Sequence, residues 1–231
     1  MTWRSLIFFS AACALAADVS GVVELTDSRA ASVRKQRDFS GVAVWLEPAA
    51  PVALTPEAQS IVQKGKKFTP HITIVPTGSS VDFPNLDPIF HNAFSNVAGQ
   101  PFDTGLYPPG GTRRVRFQRP GIVRVFCNIH STMSAVILVV DSPYFALTDR
   151  SGAYRIRGVA PGEYTLRVWH ERATAEVLAA LSRKVLIGGD TSVAPLAISE
   201  AGYLAAPHKN KHGLDYPPAP EELGPYPGGK K

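Results

Sequence analysis

A chain of 231 residues, 45% hydrophobic and 19% charged, has the length and apolar content for a buried core, which excludes a wholly disordered protein. Its 20 prolines and 19 glycines favour strands and turns over an all-helical fold, and two cysteines cannot build a disulfide scaffold or a cysteine-rich zinc motif. The net charge of +5 is carried by scattered residues such as Arg113, Arg114, Arg116, Arg119 and Arg124, with no aromatic-interleaved stripe, so no nucleic-acid partner is expected.

Residues 1–16 combine an early positive charge (Arg4), an apolar run from Leu6 to Leu15, and Ala14 and Ala16 in an A-x-A arrangement, the pattern of a cleaved secretory signal peptide. The run falls short of the roughly 20 residues that a membrane-spanning helix needs. Ser10 stands where a lipobox has an aliphatic residue, which argues against lipid anchoring at Cys13. No later stretch is long and apolar enough to span a bilayer, so a periplasmic or secreted chain is expected. Cleavage after Ala16 leaves one cysteine, Cys127, and one methionine, Met133. A lone thiol in an oxidising compartment is buried and inert, dimerising, or held by a metal.

Strands are expected at Gly21–Leu25 and Val42–Leu46, with a basic loop between them holding Arg29, Arg34, Lys35 and Arg37. Short β-rich runs then recur at Ile72–Val75, Ser80–Phe83, Arg113–Phe117, Gly121–Cys127 and Ala135–Val140, punctuated by Pro/Gly turns. A hairpin turn at Thr148–Tyr154 and a second turn at Val159–Glu163 lead into a strand at Tyr164–Trp169. Ala173–Leu181 reads as one or two helical turns, and Lys184–Ile187 and Ser192–Ile198 as final strands. Residues 205–231 hold six Pro, four Gly and four Lys with few aliphatics, a composition for an extended or mobile tail.

The chemistry-bearing segment is Phe126-Cys127-Asn128-Ile129-His130-Ser131-Thr132-Met133, a C-x2-H-x2-M pattern between two β-rich runs. A thiolate, an imidazole and a thioether on one tight loop suit copper, because Cys and Met stabilise Cu(I) while His accepts both oxidation states. A fourth ligand from another strand is expected, and His91 is the candidate: Cys127, His130 and His91 in a trigonal plane, with Met133 as a weak axial contact. Phe83, Phe90, Phe94, Phe126 and Ile129 are expected as an apolar shell. Isolated His and Cys residues in strands are usually packing; here both the mature Cys and the mature Met fall in the pattern, which favours a metal. Zinc is the alternative, but Met serves it poorly.

From about Phe68 to Val140, these residues resemble the cupredoxins, the family of plastocyanin, pseudoazurin and amicyanin. The His91-Asn92 pair, the Cys127–Met133 loop and the Pro120-Gly121 turn carry the likeness. It implies an all-β Greek-key sandwich, one type 1 copper cycling between Cu(I) and Cu(II), His130 near the surface as the electron port, and Asn92 tying the two ligand loops together. Redox proteins are the partners it implies. Asn128-Ile129 stands where the family often has a Pro before the loop His, and Ser131 follows it, a departure that touches the docking patch.

The flanks resemble a second family, the carboxypeptidase-regulatory, transthyretin-like sandwiches. Gly21-Val22-Val23 through Val42-Ala43-Val44-Trp45-Leu46 matches an opening half, and Thr148-Asp149 to Gly152 with Pro161-Gly162-Glu163-Tyr164 a closing half. The division expected is a signal peptide (1–16), a first half-sandwich (19–50), a cupredoxin domain (60–142), a second half-sandwich (143–200) and a tail (205–231). The whole is similar to bacterial exported proteins labelled methylamine utilization protein, a label that names no substrate.

His71 and His170 read as strand or strand-end residues with local hydrogen bonds, and His208 and His212 as exposed tail histidines. Asp82, Asp87 and Asp103 sit beside Pro or in turns, where Asp commonly bonds its own backbone. No nucleophile elbow, Ser/His/Asp order or phosphate loop is present, so no enzyme is expected. Electron transfer is the expected function. A cell-envelope module binding carbohydrate or protein, with copper structural or in transit, is the alternative.

Overall fold

Alternating apolar positions and dense Pro/Gly punctuation fold into strands nearly throughout. A computed structural model describes residues 16–96, 100–205 and 207–217. The signal-peptide reading therefore falls almost wholly outside the described residues, as does the end of the tail. In chain order the first elements are β1 (Ala17–Thr26), α1 (Ala31–Gln36), β2 (Ala43–Pro48), β3 (Ala58–Ser60), β4 (Val62–Gln63) and β5 (Phe68–Thr69). There follow β6 (Ile72–Pro76), β7 (Ser80–Pro84), β8 (Phe94–Ser95), β9 (Phe102–Asp103), β10 (Thr112–Arg116), β11 (Gly121–Phe126) and β12 (Ser134–Val140). The last are β13 (Phe145–Leu147), β14 (Ala153–Val159), β15 (Gly162–Trp169), α2 (Ala175–Leu181), β16 (Arg183–Ile187), β17 (Thr191–Ser192) and β18 (Leu196–Ser199). No helix among the described residues is long and apolar enough to cross a membrane.

The chain divides into two compact all-β units. Among the described residues, 16–50 and 144–201 form the first, and 51–96, 100–143, 202–205 and 207–217 the second. In the first unit one sheet runs β14-β1-β17, with β18 also on β1, and the other runs β13-β2-β15-β16. Val19, Val23, Leu25, Val44, Leu46, Ile156 and Leu166 are buried in its core, on alternate positions of their strands. The Thr148–Tyr154 turn needs its glycine: Gly152 has φ +83°, and a Cβ there would lie 2.0 Å from the Val23 carbonyl oxygen.

In the second unit a five-stranded sheet, β6-β12-β11-β8-β9, accompanies a three-stranded sheet, β10-β7-β3, and a β4-β5 pair. Ile61, Phe83, Phe117, Val123, Val125 and Ile137 fill its core. Strand β12 is almost wholly buried, as its unbroken Ala-Val-Ile-Leu-Val-Val run demands, because it is flanked by β6 in parallel and β11 antiparallel.

Several expectations needed correction. The basic loop after β1 contains helix α1, which buries Val33 alone and leaves its basic side chains outward. The expected Ser192–Ile198 strand is two strands on β1, interrupted between Ser192 and Leu196. The two-residue strands β4, β5, β8 and β9 lie below the length at which periodicity can be read.

Candidate metal centre

The site forms where β11 leaves the sheet. Phe126 pairs with Ser134 of β12 on one side and with Phe94 of β8 on the other. The seven residues between β11 and β12 close tightly, with the Cys127 N–H donating to the Met133 carbonyl at 3.2 Å and the Met133 N–H to the His130 carbonyl at 3.1 Å. Cys127, His130 and Met133 are thus held on one small loop. Continuing the antiparallel register beyond Phe94–Phe126 brings Asn92 opposite Asn128, and the Asn128 N–H donates to Asn92 Oδ1 at 2.7 Å. That register delivers His91 to the same place, where its backbone exchanges hydrogen bonds with Tyr107 at 2.9 and 3.2 Å.

His91 Nδ1 lies 3.7 Å from Cys127 Sγ, and His130 Nδ1 lies 3.6 Å from it. The ligand atoms of these three residues all fall within 4.8 Å of one another, an arrangement that could hold a metal ion. His91, Cys127 and Met133 are buried and His130 is half-buried. Cys127 Sγ thus lies between two imidazole nitrogens, with the three side chains converging on one point. A thiol and two imidazoles fit a soft or borderline transition metal.

The polar surroundings orient these groups. His91 Nε2 is 2.8 Å from Asp87 Oδ2, a contact that fixes the ring orientation with Nδ1 facing the sulfur. Asp87 in turn accepts the N–H groups of Gly65 at 2.6 Å and Lys66 at 2.8 Å. Burial pushes the Asp87 carboxyl up, but the hydrogen bonds from Lys66, His91 and Gly65 outweigh it and hold the group below its ordinary value. Burial lowers the pKa of His130, and the charges of His91 and Lys66 lower it further against the opposing Asp87.

Of the expected apolar shell, Phe83, Phe94 and Phe126 are buried. Phe90 and Ile129, at 53% and 45% exposure, are not; they face outward with Leu86, Ile89 and Leu106. Of three aspartates expected to bond with their own backbone, Asp103 does so, accepting the Gly105 N–H at 2.9 Å, and all three also reach other segments. Asp82 makes a two-pronged contact with Arg114, Asp87 binds His91, and Asp103 accepts from Asn92 Nδ2 at 3.2 Å and Lys211 Nζ at 2.8 Å. His71 stands at a strand end with Nδ1 3.0 Å from the Ser134 carbonyl, while His170 is buried in the first unit against Glu200. His208 also departs from expectation. Its ring stacks on Phe126 at 4.0 Å and 19°, and its Nε2 lies 2.7 Å from the Ser131 carbonyl. Tyr216 Oη donates to the Cys127 carbonyl at 2.7 Å; burial and then the nearby Cys127 raise its pKa to about 12, so it keeps the proton it donates. Asp87, His208 and Tyr216 carry no local motif that could have announced them.

No protein-family model matches the chain, and no curated protein matches it. Solved structures with a likeness to part of it include a Cu-containing nitrite reductase from Thermus scotoductus SA-01, 30% identical with a TM-score of 0.35 over 40% of this chain and 25% of that chain. A purple cupredoxin from Nitrosopumilus maritimus is 20% identical with a TM-score of 0.32, over 36% of this chain and 99% of that chain. Amicyanin from Paracoccus versutus is 17% identical with a TM-score of 0.33, over 41% and 91%. This chain spans about a quarter of the nitrite reductase it matches. Likenesses of this extent carry no argument about what the chain does.

Proposed function

We propose that this chain is an exported copper protein that binds one copper ion through His91, Cys127 and His130, with Met133 as a weak fourth ligand, and transfers electrons. The observation that carries the reading is the buried Cys127 thiol faced by two imidazole Nδ1 atoms at 3.6 and 3.7 Å. Met133 is buried in the same core cluster as Cys127, which favours copper over zinc. Copper bound there supplies a one-electron couple.

The chain's own residues do the rest. Asp87 fixes the ring orientation of His91, and Asn92 joins the two ligand segments. Phe83, Phe94 and Phe126 limit water access. Exposed Leu86, Ile89, Phe90, Leu106 and Ile129 flank the ligand residues in sequence, or Tyr107, which pairs with His91, and suit contact with a redox protein. On this reading the protein carries electrons and transforms no substrate. The signal-peptide pattern of residues 1–16 assigns it to the periplasm or exterior. The cupredoxin resemblance of residues 68–140 supports the second unit's role, and the flanking unit is read as a transthyretin-like sandwich.

Copper loading followed by redox cycling tests the proposal. One copper per chain is expected, with a colour that ascorbate bleaches and ferricyanide restores through repeated cycles. Stoichiometric zinc that copper cannot displace, or bound copper that does not cycle, would overturn it.

A further inference from the structure

Residues 207–217 have no regular secondary structure, yet they form a self-bonded turn. The Gly213 N–H donates to the Asn210 carbonyl and the Asn210 N–H to the Leu214 carbonyl, both at 2.9 Å, and Lys209 pairs with Asp215. This turn grips the Cys127–Met133 loop at three positions between or beside the ligands. Tyr216 Oη bonds the Cys127 carbonyl at 2.7 Å, the Lys211 N–H donates to Asn128 Oδ1 at 3.0 Å, and His208 Nε2 meets the Ser131 carbonyl at 2.7 Å. The His208 ring lies flat on Phe126 and edge-on to Tyr216, at 4.0 and 5.1 Å.

One peptide unit takes the load. The carbonyl of Cys127 and the N–H of Asn128 belong to the same planar group and point in opposite directions. Tyr216 holds the first and Asn92 the second. Asn92 also bonds Asp103, and Asp103 pairs with Lys211, so the bonds close a ring from the tail through the ligand segments and back. A peptide plane fixed at both ends fixes the backbone torsions on either side of it, and with them the direction of the Cys127 side chain. Ile129 stays 45% exposed, so the tail grips the flank of the loop and leaves its tip open.

We propose that the segment 207–217 is a clamp on the ligand loop, with Tyr216 the positioning residue for Cys127. The clamp keeps the loop in its metal-binding shape before metal arrives and slows metal loss afterwards. Only this second effect rests on the copper reading.

The test uses the full chain, Tyr216→Phe, and Tyr203→Phe as a control outside the clamp. Hydrogen exchange of the metal-free proteins reads the Asn128 and Met133 amides, both hydrogen-bonded in the closed loop. Tyr216→Phe is expected to speed their exchange about tenfold while amides within β12 are unchanged, the size expected for losing one hydrogen bond from a local opening equilibrium. Copper release to a competing chelator is expected to rise about tenfold in the same variant, and not in the control. Unchanged exchange at Asn128 and Met133 would overturn the clamp. So would faster exchange throughout β12, which would mean general destabilisation. If the parent chain binds no copper, the copper reading fails while the exchange result still decides the clamp. If it binds copper and release is unchanged in Tyr216→Phe, the positioning role of Tyr216 fails.

Discussion

Each unit buries a histidine paired through Nε2 with a carboxylate, and the two differ in what the other ring nitrogen meets. In the first unit His170 Nε2 lies 3.0 Å from Glu200 Oε1, Arg172 reaches the same carboxylate at 3.0 Å, and Ser28 Oγ donates to Oε2 at 2.6 Å. His170 Nδ1 is buried there without a hydrogen-bond partner, and the cluster joins the end of β15 to the residue after β18. In the second unit the His91–Asp87 pair closes one side of the ring only, and the other side faces a thiol that a second imidazole also faces. A buried ring whose second nitrogen meets no polar group reads as architecture. One whose second nitrogen converges with other ligand atoms reads as a site.

Substitutions that act on one unit alone test this contrast. Glu200→Ala leaves His170 and Arg172 without their shared partner and is expected to cost about 3 kcal/mol of stability, read as a lower denaturant midpoint. The copper spectrum of the folded variant is expected to be unchanged; a changed spectrum would break the separation of roles. Asp87→Ala removes the acceptor that orients His91, and copper affinity is expected to fall about 10–100-fold by chelator competition.

Acidification separates the two kinds of network further. Burial, and then Arg172, keep the folded His170 pKa below its ordinary 6.5, so the unfolded chain takes up that proton first. Stability is therefore lost as pH falls below about 6.5. A second loss follows below the ordinary 4.5 of a glutamate: burial raises Glu200, but Arg172, Ser28 and His170 together hold it lower, and that stabilisation disappears as the group protonates. Thermal unfolding between pH 7 and 5.5 is expected to show the first loss, and His170→Gln to flatten it. The smallest effect is expected at Met133→Leu, a near-isosteric exchange costing less than about 1.5 kcal/mol. That variant should keep its copper and change its reduction potential, since the axial ligand tunes it.

The parts of the site that one short loop holds were legible in the sequence. Cys127, His130 and Met133 sit within seven residues, and any loop joining two paired strands must bring them close. His91 was legible through its chemistry, as an imidazole on a separate segment beside Asn92. The supporting groups were not, because their partners are set by tertiary register: Tyr216 reaches back 89 positions to Cys127, and His208 reaches 77 to Ser131. A tail rich in Pro and Lys lacks the aliphatics for a core, but one tyrosine and one histidine suffice to dock it. Helix α1 was masked for a related reason. It buries one residue, Val33, and so shows no apolar stripe for a helical period to reveal.

Whether a copper ion is ligated by Cys127 between the two histidines is read most directly from the visible absorption of the Cu(II)-loaded chain beside its Cys127→Ser variant. A strong band near ~600 nm in the parent, absent from the variant, is the expected result for a trigonal His/His/Cys site. A spectrum with no such band, or one that survives the loss of the thiol, would place the copper elsewhere and remove the basis for electron transfer through this loop.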